Sequence, residues 1–242
     1  MAAGPGIWPK APDAPRRSGR SAINYPHLVA QRLGYQLVDM TFSGATTAHV
    51  LADTQFGNPP QIGALDGSEQ LVTITIGGND VGYVPMLLAA CLPRPVRALL
   101  RPMLHPLFDR DARDAALAQV GDSLKAVGMQ VRRRAPQARV LFVDYLTLLP
   151  PSGTGCAPIS AEHAELGRYI ADRLQELTAA AAAATGCELI AAAAASRDHH
   201  GWSAQPWVTR FHLPLPRRVA PLHPNAPGMA AVADLVCAQV TG

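Results

Sequence analysis

Residues 71–80, LVTITIGGND, constrain the fold of this chain more than any other stretch. An alternating β-branched run, Val72 to Ile76, ends abruptly on Gly77 and Gly78, then on an amide and a carboxylate, Asn79 and Asp80. Such a run bounded by turn residues predicts a buried strand. The two glycines allow a sharp turn and a close approach of backbone to a ligand. Asn79 then lies just past the carboxyl end of the strand, the edge at which open α/β sheets bind ligands. An amide placed there can donate to an oxygen that gains charge in a transition state. Taken by themselves, the ten residues fit a strand followed by an ordinary Asx turn at least as well.

The remaining elements follow from periodicity and breakers. Pro5, Pro9, Pro12 and Pro15 make residues 1–20 loop. Ile23, Leu28, Val29 and Leu33 predict a short helix over 22–33, delayed by Pro26. Residues 36–42 predict a strand, and SGATT (43–47) a loop that opens a helix near Thr46. Residues 81–108, cut by five prolines, predict short helices in an irregular insertion. Long helices are expected over 111–134, capped by Asp109 or Asp111, and over 160–185. Strands are expected at 139–146 and 187–194, a long loop at 196–222, and a last helix at 226–240. Strands alternating with helices predict a single three-layer α/β/α domain, residues 1–242, with a mainly parallel sheet. One oddity stands out: the chain opens with a loop and a helix, with no strand before them for that helix to pack against.

With 242 residues, nearly half of them apolar, the chain can bury a sizeable core. A net charge of +3 with scattered basic residues is no nucleic-acid footprint, and Arg132, Arg133 and Arg134 read as a solvated helix end. Cys91, Cys156, Cys187 and Cys237 show no CxxC pair and no metal-ligand spacing. Cys187 and Cys237 are expected to be buried and unpaired, and a 91–156 bridge is not favoured. No apolar run is long enough to cross a membrane. Met1 leads straight into AAGPGIWPKAP with no secretory signal, so the visible chain reads as cytoplasmic, or as secreted if a signal precedes Met1.

Three segments share one chemistry. Gly44 offers a backbone N–H at one strand end, Asn79 an amide at a second, and His223 an imidazole just before the last helix. A backbone N–H and an Asn side chain make a two-donor oxyanion hole, and a histidine beside it can serve as general base. A serine nucleophile is the part not seen. These blocks resemble the SGNH (GDSL-type) hydrolases, the bacterial esterase and lipase branch. SGATT is similar to that family's second block with Gly44. IGGNDVGY (76–83) is similar to its third with Asn79, and LHPNAPGMAAVAD (222–234) to its fifth with His223. The segment Asn24-Tyr25-Pro26-His27-Leu28 looks like the helix after the family's first loop.

The resemblance implies a flavodoxin-like fold and hydrolysis of a small-molecule or lipid carboxylic ester, with no metal or organic cofactor. It also exposes departures. The first block, glycine-aspartate-serine at the end of a first strand, is absent, and in relatives it runs directly into a segment like Ala2-Ala3-Gly4-Pro5-Gly6. The expectation is therefore that the nucleophile lies immediately before Met1, that Met1 is internal to the natural protein, and that the fold shown here lacks its first strand. The family's aspartate three residues before the histidine is Ala220 here, so the Ala220 carbonyl is expected to hold the imidazole. Phe42 and Trp202 stand where several members carry cysteines, against a disulfide-bonded form. The competing readings are a non-catalytic acyl- or glycan-binding SGNH-like domain and a purely structural domain. Asp80 reads as a structural hydrogen-bonding residue, Ser43 as a loop hydroxyl, and Asp198, His199 and His200 as a solvated polar loop.

Overall fold

The computed structural model describes residues 1–213 and 218–242 of the chain; residues 214–217, within the expected long loop, lie outside the described residues. Three strands, β1 (Leu71–Ile74), β2 (Arg139–Val143) and β3 (Glu188–Ile190), form a parallel sheet in the order β1-β2-β3. Leu71 pairs with Arg139 and Leu141 with Glu188. Val140, Leu141, Phe142 and Val143 are all buried, although successive side chains point to opposite faces. Both faces of β2 are therefore covered, as in a parallel sheet between helical layers.

One covering layer is built from α1 (Tyr25–Leu33) packed on α9 (Ala226–Thr241). The other contains α2 (Thr47–Leu51), α3 (Tyr83–Ala90), α6 (Arg110–Arg134) and α7 (Ala161–Ala184), with α6 packed along α7. The helix starts follow capping chemistry: Asn24 accepts from the His27 N–H at 3.1 Å, and Asp109 from that of Ala112 at 2.8 Å. Ser160 caps α7 through the His163 N–H, and Asn225 caps α9 through that of Gly228 at 2.9 Å. The proline-cut insertion is two further short helices, α4 (Arg94–Leu99) and α5 (Arg101–Phe108), after α3.

Three strand expectations need correction. Residues 139–146 are strand only to Val143. Residues 187–194 are strand only over Glu188–Ile190, after which α8 (Ala192–Ala195) begins, its Ala193 N–H donating to the Asp144 carboxylate at 2.8 Å. Residues 36–42 form no strand at all. They pair with no neighbouring strand. Side chains hold them instead: the Arg20 guanidinium donates to the Thr41 carbonyl at 2.9 and 3.1 Å, and Asp39 accepts from Asn24 Nδ2 at 2.8 Å and the Thr41 N–H at 2.8 Å. Between this segment and the open edge of β1 runs a groove of about 690 Å³.

Candidate active site

At the carboxyl edge of the sheet the loops after β1 and before α9 meet the loop 43–46 and the first residues of the chain. They enclose a small pocket of about 40 Å³ lined by Met1, Ala3, Gly44, Gly78, Asn79, Tyr145 and His223, among others. The structure thus brings Gly44, Asn79 and His223, the three residues singled out from sequence, around one space.

The turn after β1 positions the amide. Gly77 has a φ of +105°, and a Cβ on Gly78 would lie 2.7 Å from the Tyr145 ring. Neither position accepts a side chain without displacement. The Gly78 N–H donates to the Tyr145 hydroxyl at 2.8 Å. Asn79 Nδ2 donates one hydrogen bond to the Ala45 carbonyl at 2.8 Å, which ties the turn to the Gly44 loop. A side-chain amide carries two N–H donors, so one stays available to an incoming oxygen. The Gly44 N–H, in a residue with φ +76°, has no acceptor among the described residues. Asp80 is engaged elsewhere: its carboxylate accepts from the Thr47 N–H at 3.0 Å and the Thr47 hydroxyl at 2.5 Å, at the start of α2.

His223 is held from both sides. Its N–H meets the Thr209 hydroxyl at 3.4 Å and its carbonyl accepts from the Thr209 N–H at 2.9 Å. Its Nδ1 lies 2.8 Å from the Pro221 carbonyl. This corrects the expectation for Ala220, whose carbonyl instead accepts the Thr209 hydroxyl at 2.8 Å. The cause is Leu222, buried with a φ of +58°, which folds the chain back so that the carbonyl two residues before the imidazole is the one that reaches it. A carbonyl only accepts, so Nδ1 carries the proton and Nε2 presents its lone pair. Burial lowers the His223 pKa to about 4, helped by repulsion from the Met1 ammonium and opposed by the Pro221 hydrogen bond. Burial likewise lowers the Met1 amino group to about 6.

Two participants were not anticipated from sequence. Tyr145 follows β2 in a run that read simply as strand, and nothing local marks its hydroxyl as the partner of a glycine 67 positions away. The Met1 amino group is buried in the pocket, which only the folded chain shows. The other candidates lie elsewhere. The His199 ring stacks on Trp207 with centroids 4.1 Å apart, and its Nδ1 meets the Gln205 carbonyl at 2.7 Å. Among the described residues no group of three or more His, Cys, Asp or Glu side chains is placed to hold a metal ion. All four cysteines are free thiols; Cys91 and Cys156 are buried, and Cys187 and Cys237, expected to be buried, are half-buried. No helix among the described residues is long and apolar enough to cross a membrane.

Comparison with known proteins gives the same family from sequence and the same architecture from structure. The sequence profile of the GDSL-like Lipase/Acylhydrolase family matches residues 2–231. Lipase 2 of Streptomyces coelicolor is 33% identical over 241 residues, 96% of this chain and 80% of its own. A lipase of Streptomyces rimosus is 27% identical over 212 residues, 87% of this chain and 73% of its own. The fold is similar to that of phospholipase A1 from Streptomyces albidoflavus NA297, with a TM-score of 0.79 at 24% identity, over 100% of this chain and 95% of that one. It is also similar to that of the extracellular lipase from Streptomyces rimosus, with a TM-score of 0.75 at 24% identity and the same coverage. With its flavodoxin-like α/β architecture and its match to that profile along nearly its whole length, the chain belongs to the GDSL-like lipase/acylhydrolase family, the SGNH ester hydrolases.

Proposed function

We propose that this pocket hydrolyses carboxylic esters of acyl chains by serine acyl transfer, with the serine supplied by the residue joined to the Met1 nitrogen. The observation that carries the reading is the position of Met1. Its amino group is buried beside the His223 imidazole and in the same pocket as Gly44 and Asn79. A residue attached there has its side chain within the reach of both base and oxyanion donors. The 242-residue form by itself then holds the base and the oxyanion hole without the nucleophile.

In this reading the serine Oγ attacks the ester carbonyl carbon and passes its proton to His223 Nε2. The Gly44 N–H and the free Asn79 N–H bind the oxyanion. The tetrahedral intermediate collapses by breaking the carbon–oxygen bond to the alcohol, which leaves with the proton from the imidazolium. Water then adds to the acyl-enzyme, gives its proton to the same nitrogen, and the acid departs as the proton returns to Oγ. The Pro221 carbonyl orients the ring but carries no full negative charge, so the imidazolium gains less than beside a carboxylate. Relatives named as lipases and as a phospholipase A1 support an acyl ester substrate.

The test compares three chains on p-nitrophenyl butyrate: the 242-residue form, and two forms extended at the N-terminus that end in Ser or in Ala before Met1. The Ser form is expected to turn over, with the Ala form and the 242-residue form lower by about 10⁴-fold or more. Equal rates in all three would remove the proposed nucleophile.

A further inference from the structure

The proline-cut insertion leaves an apolar face uncovered. Leu99, Met103 and Val96 are 81%, 68% and 40% exposed, and of residues 94–108 only Leu104 is buried. Helical hydrogen bonding carries on across the junction of α4 and α5. The Leu100 N–H donates to the Val96 carbonyl and the Leu104 N–H to the Leu100 carbonyl, both at 3.0 Å. Val96, Leu99 and Met103, at i, i+3 and i+7, therefore share one stripe of a nearly continuous helix. Arg94, Arg97 and Arg101 repeat that spacing on a second stripe. Large apolar side chains exposed together mark an interaction surface.

We propose that this face docks on the surface of an anionic phospholipid bilayer. Charge selects the sign of the partner. No Asp or Glu occurs from Val81 to Phe108, and the carboxylates at either end are engaged, Asp80 by Thr47 and Asp109 by the Ala112 N–H. Among the described residues, none of the three arginines has a carboxylate within ion-pair distance. Anionic lipid attracts such uncompensated cations. Their long stems let the guanidinium groups reach headgroups while the neighbouring apolar side chains enter the acyl boundary. Polar composition selects a bilayer over a protein. From Val84 to Phe108 there is also no Ser, Thr, Asn or Gln, so only the arginines and His105 offer polar side-chain contacts. A protein interface fixes its register with about one hydrogen bond per 100–200 Å². A fluid headgroup layer requires no register.

The insertion is attached at both ends to the wall of the pocket. Val84, in the first turn of α3, lines it. At the other end, a Cβ on Gly82 would lie 3.5 Å from Leu107 Cδ2, and Gly82 closes the turn that begins at Asn79 by donating to its carbonyl at 3.2 Å.

The experiment sediments the 242-residue chain with sucrose-loaded vesicles of diether phosphatidylcholine, alone or mixed with an equal part of diether phosphatidylglycerol. Ether lipids carry no carboxylic ester, so docking is read apart from the proposed function and does not rest on it. Binding to the anionic vesicles is expected to be at least about tenfold tighter than to the neutral ones and to weaken with salt. Arg94→Glu with Arg101→Glu, and separately Leu99→Gln with Met103→Gln, are each expected to weaken it at least about tenfold. Arg133→Glu with Arg134→Glu makes the same charge change at the end of α6 and is expected to leave it within about twofold. A readout without substitutions is amide exchange, expected on anionic vesicles to slow about tenfold over residues 96–104 and not along α6. Absent binding, equal binding to both vesicles, or equal loss in the α6 control would overturn the proposal. So would a lipid-free dimer broken by Leu99→Gln with Met103→Gln, since a second copy would then cover the face.

Discussion

Asn79 and Asp80 are adjacent yet serve different ends, and substitutions separate them. Asp80 accepts two hydrogen bonds from Thr47 at the start of α2 and is not among the residues lining the pocket. Asp80→Ala is expected to lower stability by about 1–2 kcal/mol, read from the denaturant midpoint, with kcat of the serine-extended chain nearly unchanged. Asn79→Ala removes the proposed oxyanion donor and is expected to lower kcat by about 10²–10³-fold with a smaller loss of stability. The reverse pattern in either variant would exchange their roles. Protons give a second test. The His223 and Met1 nitrogens both have folded pKa values below their ordinary ones, about 4 and about 6. The unfolded chain therefore binds more protons than the folded chain across this range, and stability falls as pH drops from about 8 to about 4. Acetylating the Met1 nitrogen removes its part of the dependence. It also removes the ammonium that depresses His223, so the imidazole titrates at higher pH. NMR titration of the His223 ring checks the sign, and a lower ring pKa after acetylation would contradict it.

At the scale of elements, the turn after β1 depends on Gly78 packed against Tyr145, with the Tyr145 hydroxyl taking the Gly78 N–H. Gly78→Ala forces that ring aside and is expected to cost about 1–3 kcal/mol and to move Asn79 as well. Tyr145→Phe keeps the ring and loses only the acceptor, so about 1 kcal/mol is expected. Thermal midpoints of the two variants, ranked the other way, would refute the packing account. Helices were legible in the sequence because their signals are local: Asp109, Ser160 and Asn225 each cap within three residues, and each helix begins there. Strands were less so. Residues 36–42 have a strand composition, but a strand exists only beside a partner, and none of the three described strands pairs with them. In the same way, β3 ends early because Asp144 captures the Ala193 N–H and starts α8, a contact between positions 49 apart.

For the whole molecule, the sheet and one of its helical layers are fastened at the amino edge by Arg139. Its guanidinium donates to both Glu188 oxygens at 2.9 and 2.8 Å and to the Gln239 and Val240 carbonyls at 2.8 and 2.9 Å. One side chain thus joins β2, β3 and the end of α9. Arg139→Ala is expected to change overall stability little, because the group is well exposed, yet to raise amide exchange selectively in the last turn of α9. A uniform rise along the whole of α9 would contradict a local clasp. The three pocket residues were legible because each sits in a short motif at a strand end or a helix start. The identity of the carbonyl behind His223 was not, since it depends on the backward turn at Leu222. The groove has one practical consequence. Tyr25, Tyr35 and Tyr145 are among its lining residues, and no tryptophan is. Filling it therefore changes the surroundings of phenol rings and leaves the indoles of Trp8, Trp202 and Trp207 in place. Near-ultraviolet difference spectra would register occupancy as a tyrosine signal against a constant tryptophan background, an optical readout built into the unlabelled chain.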